Sequence, residues 1–445
     1  MSKIFSALVI DDHDDECMLL RVALPKCGVT PTICPNTAEA TKDIANHDSY
    51  DFIFVDMHMS NKSAFVFLQL LGQHRNQALR AVPIIGFVGR INQSELSGLA
   101  EAGVFNLISK PLNEKTLLEK TNKIIAEYQD PKSATSIDLA FRRAILAADS
   151  AAALAIAKSN MENNPKSMRS HVSLAVAYYY AKQNQDAKSV LTKLLPSMQD
   201  SLYLPHVLTL LAKVYIREKQ PQQALQLLEK AQAIFPHNME RLFLIGELLL
   251  ATNKPAVAEQ KFRTAIRFFP QSKSARVGLG KALVAQGNAD GALEITKSAP
   301  GATQNLISHL NRLGVGLSKA GKYEDAVATY ETALKLVRTP RELSSLWYNI
   351  SLAWTKGGQY QKASAACTKS IQAEPTNEKA QALLLRCGTE MAKPVQPGAA
   401  PTLNAAVAAA NVTTNGGIIP DIHLTLMSDD LVERIEKGVL EDAMG

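Results

Sequence analysis

Residues 52–60 read FIFVDMHMS, and this stretch decides the fold of the N-terminal part of the chain. A short continuous apolar run that stops at a polar residue is typical of a buried β-strand. Here the run ends in a carboxylate, Asp56. An aspartate in this place can cap a helix, form a turn or be held out for chemistry, so its role depends on what surrounds it.

Similar apolar runs alternate with amphipathic segments throughout residues 1–128. Five strands are predicted, in IFSALVI, VTPTIC, DFIFVD, VPIIGFV and VFNLIS, and five helices, in DDECMLLRVALPKCG, TAEATKDIANH, SAFVFLQLLGQ, QSELSGLAEAG and NEKTLLEKTNKIIAEY. Strict alternation forces a parallel sheet with helices on both faces. We therefore predict a doubly wound five-stranded α/β fold of the flavodoxin-like type, with its site at the carboxyl ends of the strands.

Polar residues stand where these strands end. Asp11 and Asp12 end the first strand, Asp56 ends the third, and Lys110 follows the fifth. Three carboxylates in one crevice repel one another unless a hard cation lies among them, and carboxylates with water and phosphate oxygens are ligands that Mg²⁺ prefers. A lysine ammonium can neutralise a phosphoryl group. The set predicts phosphoryl transfer onto a carboxylate, with Asp56 as the nucleophile.

The segments VIDDHDDECMLLR, FIFVDMHM and GVFNLISKPL, in this order and at this spacing, resemble the receiver domain of bacterial two-component response regulators. The resemblance spans nearly all of residues 1–128. It implies that the three aspartates bind Mg²⁺, that Asp56 accepts phosphate from a histidine kinase or phosphotransfer protein of a phosphorelay, and that Lys110 contacts the phosphoryl group. A helix N-cap would explain Asp11 and Asp12 but not the other two residues.

Two positions depart from the family pattern. Val88 stands where receivers carry a Ser or Thr that moves onto the phosphate, and Leu107 stands where they carry a Tyr or Phe that rotates with it. A valine cannot hydrogen-bond to a phosphoryl oxygen. Either the phosphate is read by another route, or phosphate does not switch the domain.

From about residue 138 the sequence becomes periodic and rich in helix formers. Alanines recur at spacings of 34 or 37 residues, at Ala153, Ala187, Ala224, Ala258, Ala292, Ala326 and Ala363. From the second alanine onward, a small residue lies 12 positions before each. Proline follows four of them, 12 residues later. Each period should hold two helices that cross at small residues, which resembles the tetratricopeptide repeat.

The predicted limits are a receiver at 1–128, a linker at 129–137, about seven repeats at 138–375, a capping helix at 376–392, a flexible linker at 393–420 and a short acidic amphipathic tail helix at 421–445.

Such an array is expected to form a superhelix with an inner groove. The side chains predicted to face the groove are Tyr179, Tyr180, Lys213, Arg217, Lys281, Arg312, Lys319, Tyr348, Asn349 and Lys356. Residues 138–392 hold 32 Lys and Arg against 19 Asp and Glu, so an acidic protein or peptide is the expected partner. For any one of these lysines, a solvated surface is an equal alternative.

Composition narrows the remaining possibilities. No run approaches the roughly 18 apolar residues that a membrane span needs, so a cytoplasmic protein is expected. The five cysteines contain no CxxC pair, and we expect ordinary thiols. The basic charge is spread over the repeats instead of being gathered on one DNA-reading helix, so nucleic acid is not an expected partner.

Two functions remain open at this point. The first is a phosphorelay response regulator whose output is protein binding by the repeats, without enzyme activity. The second is a scaffold whose receiver is a pseudo-receiver and whose repeats assemble partners without a phosphate switch. Val88 and Leu107 favour the scaffold, and the intact set of three aspartates and Lys110 favours the regulator.

Overall fold

The computed structural model describes residues 4–59, 63–72, 74–199, 201–270, 272–299 and 301–392. These residues divide into two compact units, one within 4–249 and 261–274 and the other within 250–260 and 275–392. The predicted linker at 393–420 and the predicted tail helix at 421–445 lie outside the described residues.

The N-terminal sheet has five strands, all parallel, in the order β2-β1-β3-β4-β5. The strands are β1 (Phe5–Ile10), β2 (Val29–Cys34), β3 (Phe52–Asp56), β4 (Ile84–Val88) and β5 (Asn106–Ser109). The strand order reverses between β1 and β3, which opens a crevice at their carboxyl ends. The predicted doubly wound α/β fold is confirmed.

Helices cover both faces of this sheet. They are α1 (Asp14–Ala23), α2 (Thr37–Asn46), α3 (Ser63–Gly72), the short α4 (Gln77–Arg80), α5 (Gln93–Glu101) and α6 (Glu114–Gln129). Strand β3 serves two cores, because Ile53 and Val55 pack on one face of the sheet and Phe52 and Phe54 on the other. This is why its sequence is apolar without alternation.

The first helix ends earlier than predicted. We expected it to run to Gly28, but α1 stops at Ala23 and a short 3-10 helix, Leu24–Cys27, follows. Pro25 lies in that turn, and a proline inside an α-helix would remove one hydrogen bond and clash with the preceding turn. Gly28 then closes the segment with φ 73°, a left-handed conformation that suits glycine.

The rest of the described chain is helical. The helices are α7 (Ala134–Leu146), α8 (Ser150–Asn163), α9 (Met168–Tyr180), α10 (Asn184–Leu194), α11 (Leu204–Arg217), α12 (Pro221–Ile234), α13 (Met239–Ala251), α14 (Pro255–Phe268), α15 (Lys273–Ala285), α16 (Ala289–Lys297), α17 (Ala302–Lys319), α18 (Tyr323–Leu336), α19 (Pro340–Lys356), α20 (Tyr360–Ala373) and α21 (Glu378–Met391). All seven periodic alanines have no exposed surface, and each lies on the second helix of a sequential pair from α7/α8 to α19/α20.

Glycines mark the closest approach between helices of a pair. A Cβ added to Gly246 would lie 2.5 Å from Cζ of Phe262, and one added to Gly314 would lie 2.5 Å from Cε1 of Tyr330. No side chain fits at these two positions without displacing a ring. The periodic small residues therefore have a packing reason.

Candidate functional site

Two fully buried carboxylates meet at the carboxyl ends of the neighbouring strands β1 and β3. Ile10 pairs with Val55, so Asp11 and Asp56 leave the sheet side by side, and neither has exposed surface. In each, Oδ1 accepts a hydrogen bond of 2.9 Å from a backbone N–H two residues further on, at His13 and His58. Among the described residues, no backbone N–H donates to either Oδ2. Both carboxylates are thus oriented, with one oxygen left for another ligand.

Lys110 brings a positive charge to this crevice from β5. Its backbone N–H donates to Val88 O at 2.7 Å, which holds the residue beside the end of β4. Its Nζ lies 2.9 Å from Asp56 Oδ2, 3.7 Å from Asp11 Oδ2 and 2.5 Å from Glu16 Oε2. Glu16 comes from the first turn of α1 and was not foreseen from the sequence.

Burial shapes the ionisation of the cluster. Desolvation raises the pKa of Asp11 to about 6, although the His13 N–H and the charge of Lys110 act in the opposite direction. Burial alone would lower the pKa of Lys110, but its contacts with Glu16 and Asp56 outweigh burial and raise it. The Lys110 ammonium is therefore charged, and burial makes the charged form of Asp11 less favourable than it would be in water.

The cluster fits a divalent cation. One ligand atom from each of Asp11, Asp12, His13 and Asp56 lies within 4.8 Å of the others. Asp11 Oδ2 is buried without a hydrogen-bond donor among the described residues, and a hard cation would bind such an oxygen. His13 Nδ1 lies 3.0 Å from Asp12 Oδ1 and 3.3 Å from Asp11 Oδ1, so an imidazole stands at the edge of the site. Its place directly after the two aspartates was the only sequence signal for it.

Val88 and Leu107, the two positions that depart from the receiver pattern, both pack against apolar neighbours. Val88 is buried at the end of β4, and Leu107 packs within β5, with Cδ2 3.1 Å from the place of a Cβ on Gly86. Instead of a hydroxyl, the exposed imidazole of His58 approaches the loop after β4, and a Cβ added to Gly89 would lie 3.6 Å from its Cε1. Sequence reasoning missed His58, since nothing local distinguishes it from a surface histidine.

The predicted groove residues of the first unit fall into different environments. Tyr179 is buried, with the Arg217 guanidinium 3.5 Å above the centre of its ring, whereas Tyr180 is 43% exposed. Lys213 pairs with Glu240 at 2.5 Å. Burial would lower the pKa of Lys213, but the charge of Glu240 outweighs it and raises the pKa. Tyr179, Lys213 and Arg217 thus contribute to packing inside the repeats.

The predicted groove residues of the second unit lie nearer the surface. Asn349 Nδ2 donates to Asn311 Oδ1 at 2.7 Å, which ties α19 to α17, and Tyr348 packs against the buried cluster that includes Ala363. The charged members are half-buried or exposed, namely Lys281, Arg312, Lys319 and Lys356.

The sheet domain packs directly on the first repeats within one compact unit. Phe235, which follows α12, enters the core of the sheet domain, with its ring 5.3 Å from that of Phe65 and against Gly98 of α5. Hydrogen bonds surround it: Ser94 Oγ donates to Ile234 O at 2.7 Å, and Met239 N donates to Gln69 Oε1 at the same distance. We call this surface the Phe235 interface.

A buried ion pair completes the Phe235 interface. Arg241 has no exposed surface, and its Nη1 donates to Glu101 Oε1 at 2.7 Å and to Thr209 Oγ1 at 3.1 Å. Just beyond α5, Gly103 O accepts from Arg142 Nη2 at 3.1 Å, and the Arg169 guanidinium lies 3.8 Å over the ring of Phe105. Helix α5 and the turn after it are thus held by the repeats along their whole length.

Comparison with known proteins finds two kinds of module in the chain. Residues 7–122 match the response regulator receiver domain family, and residues 215–260, 249–313 and 311–378 match tetratricopeptide repeat families. A BBSome complex member of Drosophila melanogaster, a BBS4 homolog, is 26% identical over 178 residues, which are 40% of this chain and 36% of that protein. The chain therefore covers about a third of this relative.

Solved structures give likenesses of fold. One assigned as a response regulator from Chloroflexus aurantiacus is 21% identical, covering 28% of this chain and 99% of that chain with a TM-score of 0.25. The C-terminal part of a repeat protein from Cytophaga hutchinsonii is 18% identical, covering 56% of this chain and 98% of that chain with a TM-score of 0.38.

The chain thus has an N-terminal response regulator receiver domain followed by tetratricopeptide repeats. It joins a regulatory module to a protein-interaction region. Among the described residues, none of the helices combines the length and the apolar character that crossing a membrane requires.

Proposed function

We propose that this protein is a cytoplasmic phosphorelay response regulator that accepts a phosphoryl group at Asp56 and acts through proteins bound by its repeats. The observation that carries the proposal is the Asp56 carboxylate, fully buried and oriented by the His58 N–H, with Lys110 Nζ 2.9 Å from its Oδ2. The donor is the phosphohistidine of a kinase or phosphotransfer protein. Asp11, Asp12 and Asp56 would hold Mg²⁺, which supplies positive charge for the phosphoryl oxygens when bound.

The chemistry follows from the roles of the two Asp56 oxygens. Oδ1 accepts a backbone hydrogen bond, so Oδ2 is the oxygen available for attack. A bond forms between Oδ2 and phosphorus as the phosphorus–nitrogen bond of the donor breaks, and the donor imidazole takes up a proton from solvent. Lys110 lies close enough to neutralise charge on the transferred group.

The repeats provide the output. Their residues 138–392 carry a net charge of +13, from 32 basic and 19 acidic residues, which supports an acidic protein or peptide as partner. Within the second unit, Arg312, Lys319 and Lys356 are exposed and offer positive charge to such a partner.

A scaffold without a phosphate switch is the second candidate. The buried, apolar Val88 supports it, because the end of β4 offers no hydroxyl to a phosphoryl group.

The test is direct phosphorylation with a small phosphodonor and Mg²⁺. The wild type should form an acid-labile adduct, Asp56→Asn should form none, and Asp48→Asn, which changes an exposed aspartate of the same domain, should behave as the wild type. A pull-down comparing wild type with Asp56→Asn then shows whether partner binding depends on the adduct. If the wild type forms no adduct and both proteins retain the same partners, the scaffold is the correct function.

A further inference from the structure

His58 connects the phosphorylation site to the loop after β4. Its backbone N–H donates to Asp56 Oδ1, and its ring lies over Gly89. Nδ1 accepts a hydrogen bond of 3.3 Å from the Gly89 N–H, which leaves Nε2 to donate to Arg90 O at 3.1 Å. One imidazole thus binds the first two residues of this loop through opposite ring nitrogens.

The loop leads directly into α5. Two residues after Arg90, Asn92 caps the helix, accepting from Glu95 N at 2.9 Å while its own N–H donates to Glu95 Oε2 at 3.2 Å. This reciprocal cap fixes the loop rigidly to the first turn of the helix. A displacement of Gly89 and Arg90 is therefore transmitted to α5.

The repeats also contact helix α5 directly. Ser94, Gly98 and Glu101, one on each successive turn, contact Ile234, Phe235 and Arg241 of the Phe235 interface. His58 accordingly stands at one end of a continuous path from Asp56 to the repeats. Every contact in this path lies within one compact unit.

A phosphoryl group on Asp56 would compete with the His58 ring. Asp56 pairs with Phe87 in the sheet, so Gly89, two residues beyond Phe87, lies at the same edge of the sheet as the Asp56 carboxylate. An anionic oxygen is a stronger hydrogen-bond acceptor than a neutral imidazole nitrogen. Because Val88 offers no hydroxyl, the Gly89 N–H is a donor that the loop can present in its place.

We propose that His58 is a positioning residue that holds the β4–α5 loop in its unphosphorylated arrangement, and that a phosphoryl group on Asp56 displaces its ring from Gly89 and loosens α5 from the Phe235 interface. This inference rests on the proposed function, because it needs a phosphoryl group at Asp56. In this proposal His58, and not a hydroxyl at position 88, connects the phosphoryl group with the β4–α5 loop.

The test measures hydrogen exchange of residues 89–101 in the full chain, with and without beryllium fluoride and Mg²⁺ as phosphoryl mimic. In the wild type the mimic should speed exchange roughly three- to tenfold, the effect of losing about one net hydrogen bond. His58→Ala should exchange fast in both states. His58→Asn, whose side-chain oxygen can replace Nδ1 as acceptor, should restore the response. His74→Ala is the matched control, because His74 Nδ1 also accepts a backbone N–H, from Asn76, in a loop outside the path.

The outcomes separate this inference from the function on which it rests. If acetyl phosphate gives no adduct in the wild type, the proposed function and the inference both fall. If the adduct forms but the mimic leaves exchange of residues 89–101 unchanged, or changes it equally in wild type and His58→Ala, the inference alone is overturned. A response that is absent in His58→Ala and present in both His58→Asn and His74→Ala supports it.

Discussion

Replacing Gly98 by alanine tests how the receiver meets the repeats. Gly98 lies in the middle of α5 and faces the ring of Phe235. A Cβ at this position would lie 2.5 Å from Cε2 and 2.9 Å from Cε1 of that ring. Carbon atoms do not pack at such distances, so either the ring or the helix must move.

Two opposing effects set the size of the change. Overpacking of a buried contact costs about 1–3 kcal/mol. Alanine is a better helix former than glycine by about 0.5–1 kcal/mol. Gly98→Ala should therefore destabilise the docked α5 by up to roughly 2.5 kcal/mol. In a Phe235→Ala background the ring is gone, and the same substitution should stabilise α5 by about 0.5–1 kcal/mol.

Gly388→Ala is the matched control. Gly388 lies inside helix α21, and a Cβ added there would meet nothing within 4 Å. Only the helix-forming preference remains, so Gly388→Ala should stabilise its helix by about 0.5–1 kcal/mol. The same change of residue thus has opposite signs at the two positions.

Native-state hydrogen exchange is the suitable assay, because repeat arrays open in parts and one global free energy of unfolding would mix them. Opening free energies are read for α5 in four proteins: wild type, Gly98→Ala, Phe235→Ala and the double variant. If Gly98→Ala stabilises α5 in the wild-type background as Gly388→Ala stabilises α21, Phe235 does not pack on Gly98 and the Phe235 interface is refuted.

Two further predictions concern buried charge. Arg241→Met leaves Glu101 buried without its cation and should lower the opening free energy of α5 by about 3–5 kcal/mol. The control Lys123→Ala removes an exposed 3.9 Å pair with Glu127 and should lower the opening free energy of its own helix by under about 0.5 kcal/mol. Equal losses would contradict the burial of the Arg241–Glu101 pair. The pKa of Asp11 is raised to about 6, so the folded protein gains a proton at a higher pH than the unfolded chain. In the absence of Mg²⁺, a change from pH 7 to pH 5 should therefore raise the melting temperature of the wild type relative to that of Asp11→Asn. A pH dependence that is identical in the two proteins would show that Asp11 is not the group responsible.

The sequence by itself determined the receiver sheet, the convergence of Asp11, Asp56 and Lys110, and the burial of the periodic alanines. All of these follow from local patterns. An apolar run of strand length, its alternation with helices and the rule that parallel strands end at one edge bring the three residues together without knowledge of any distant contact. A fixed period likewise places every alanine at the same helix crossing.

Only the tertiary structure decided how the receiver and the repeats meet. Phe235 reads as an ordinary residue near the end of a helix, and Gly98 as a weak point in another, until the two surfaces are brought together. His58 likewise has no local signature, because its partners Gly89 and Arg90 lie on a different strand connection. Hydrophobic and helical periodicity encode which face of an element is buried, but they do not encode which neighbour buries it, because that depends on the shapes of surfaces far apart in the chain.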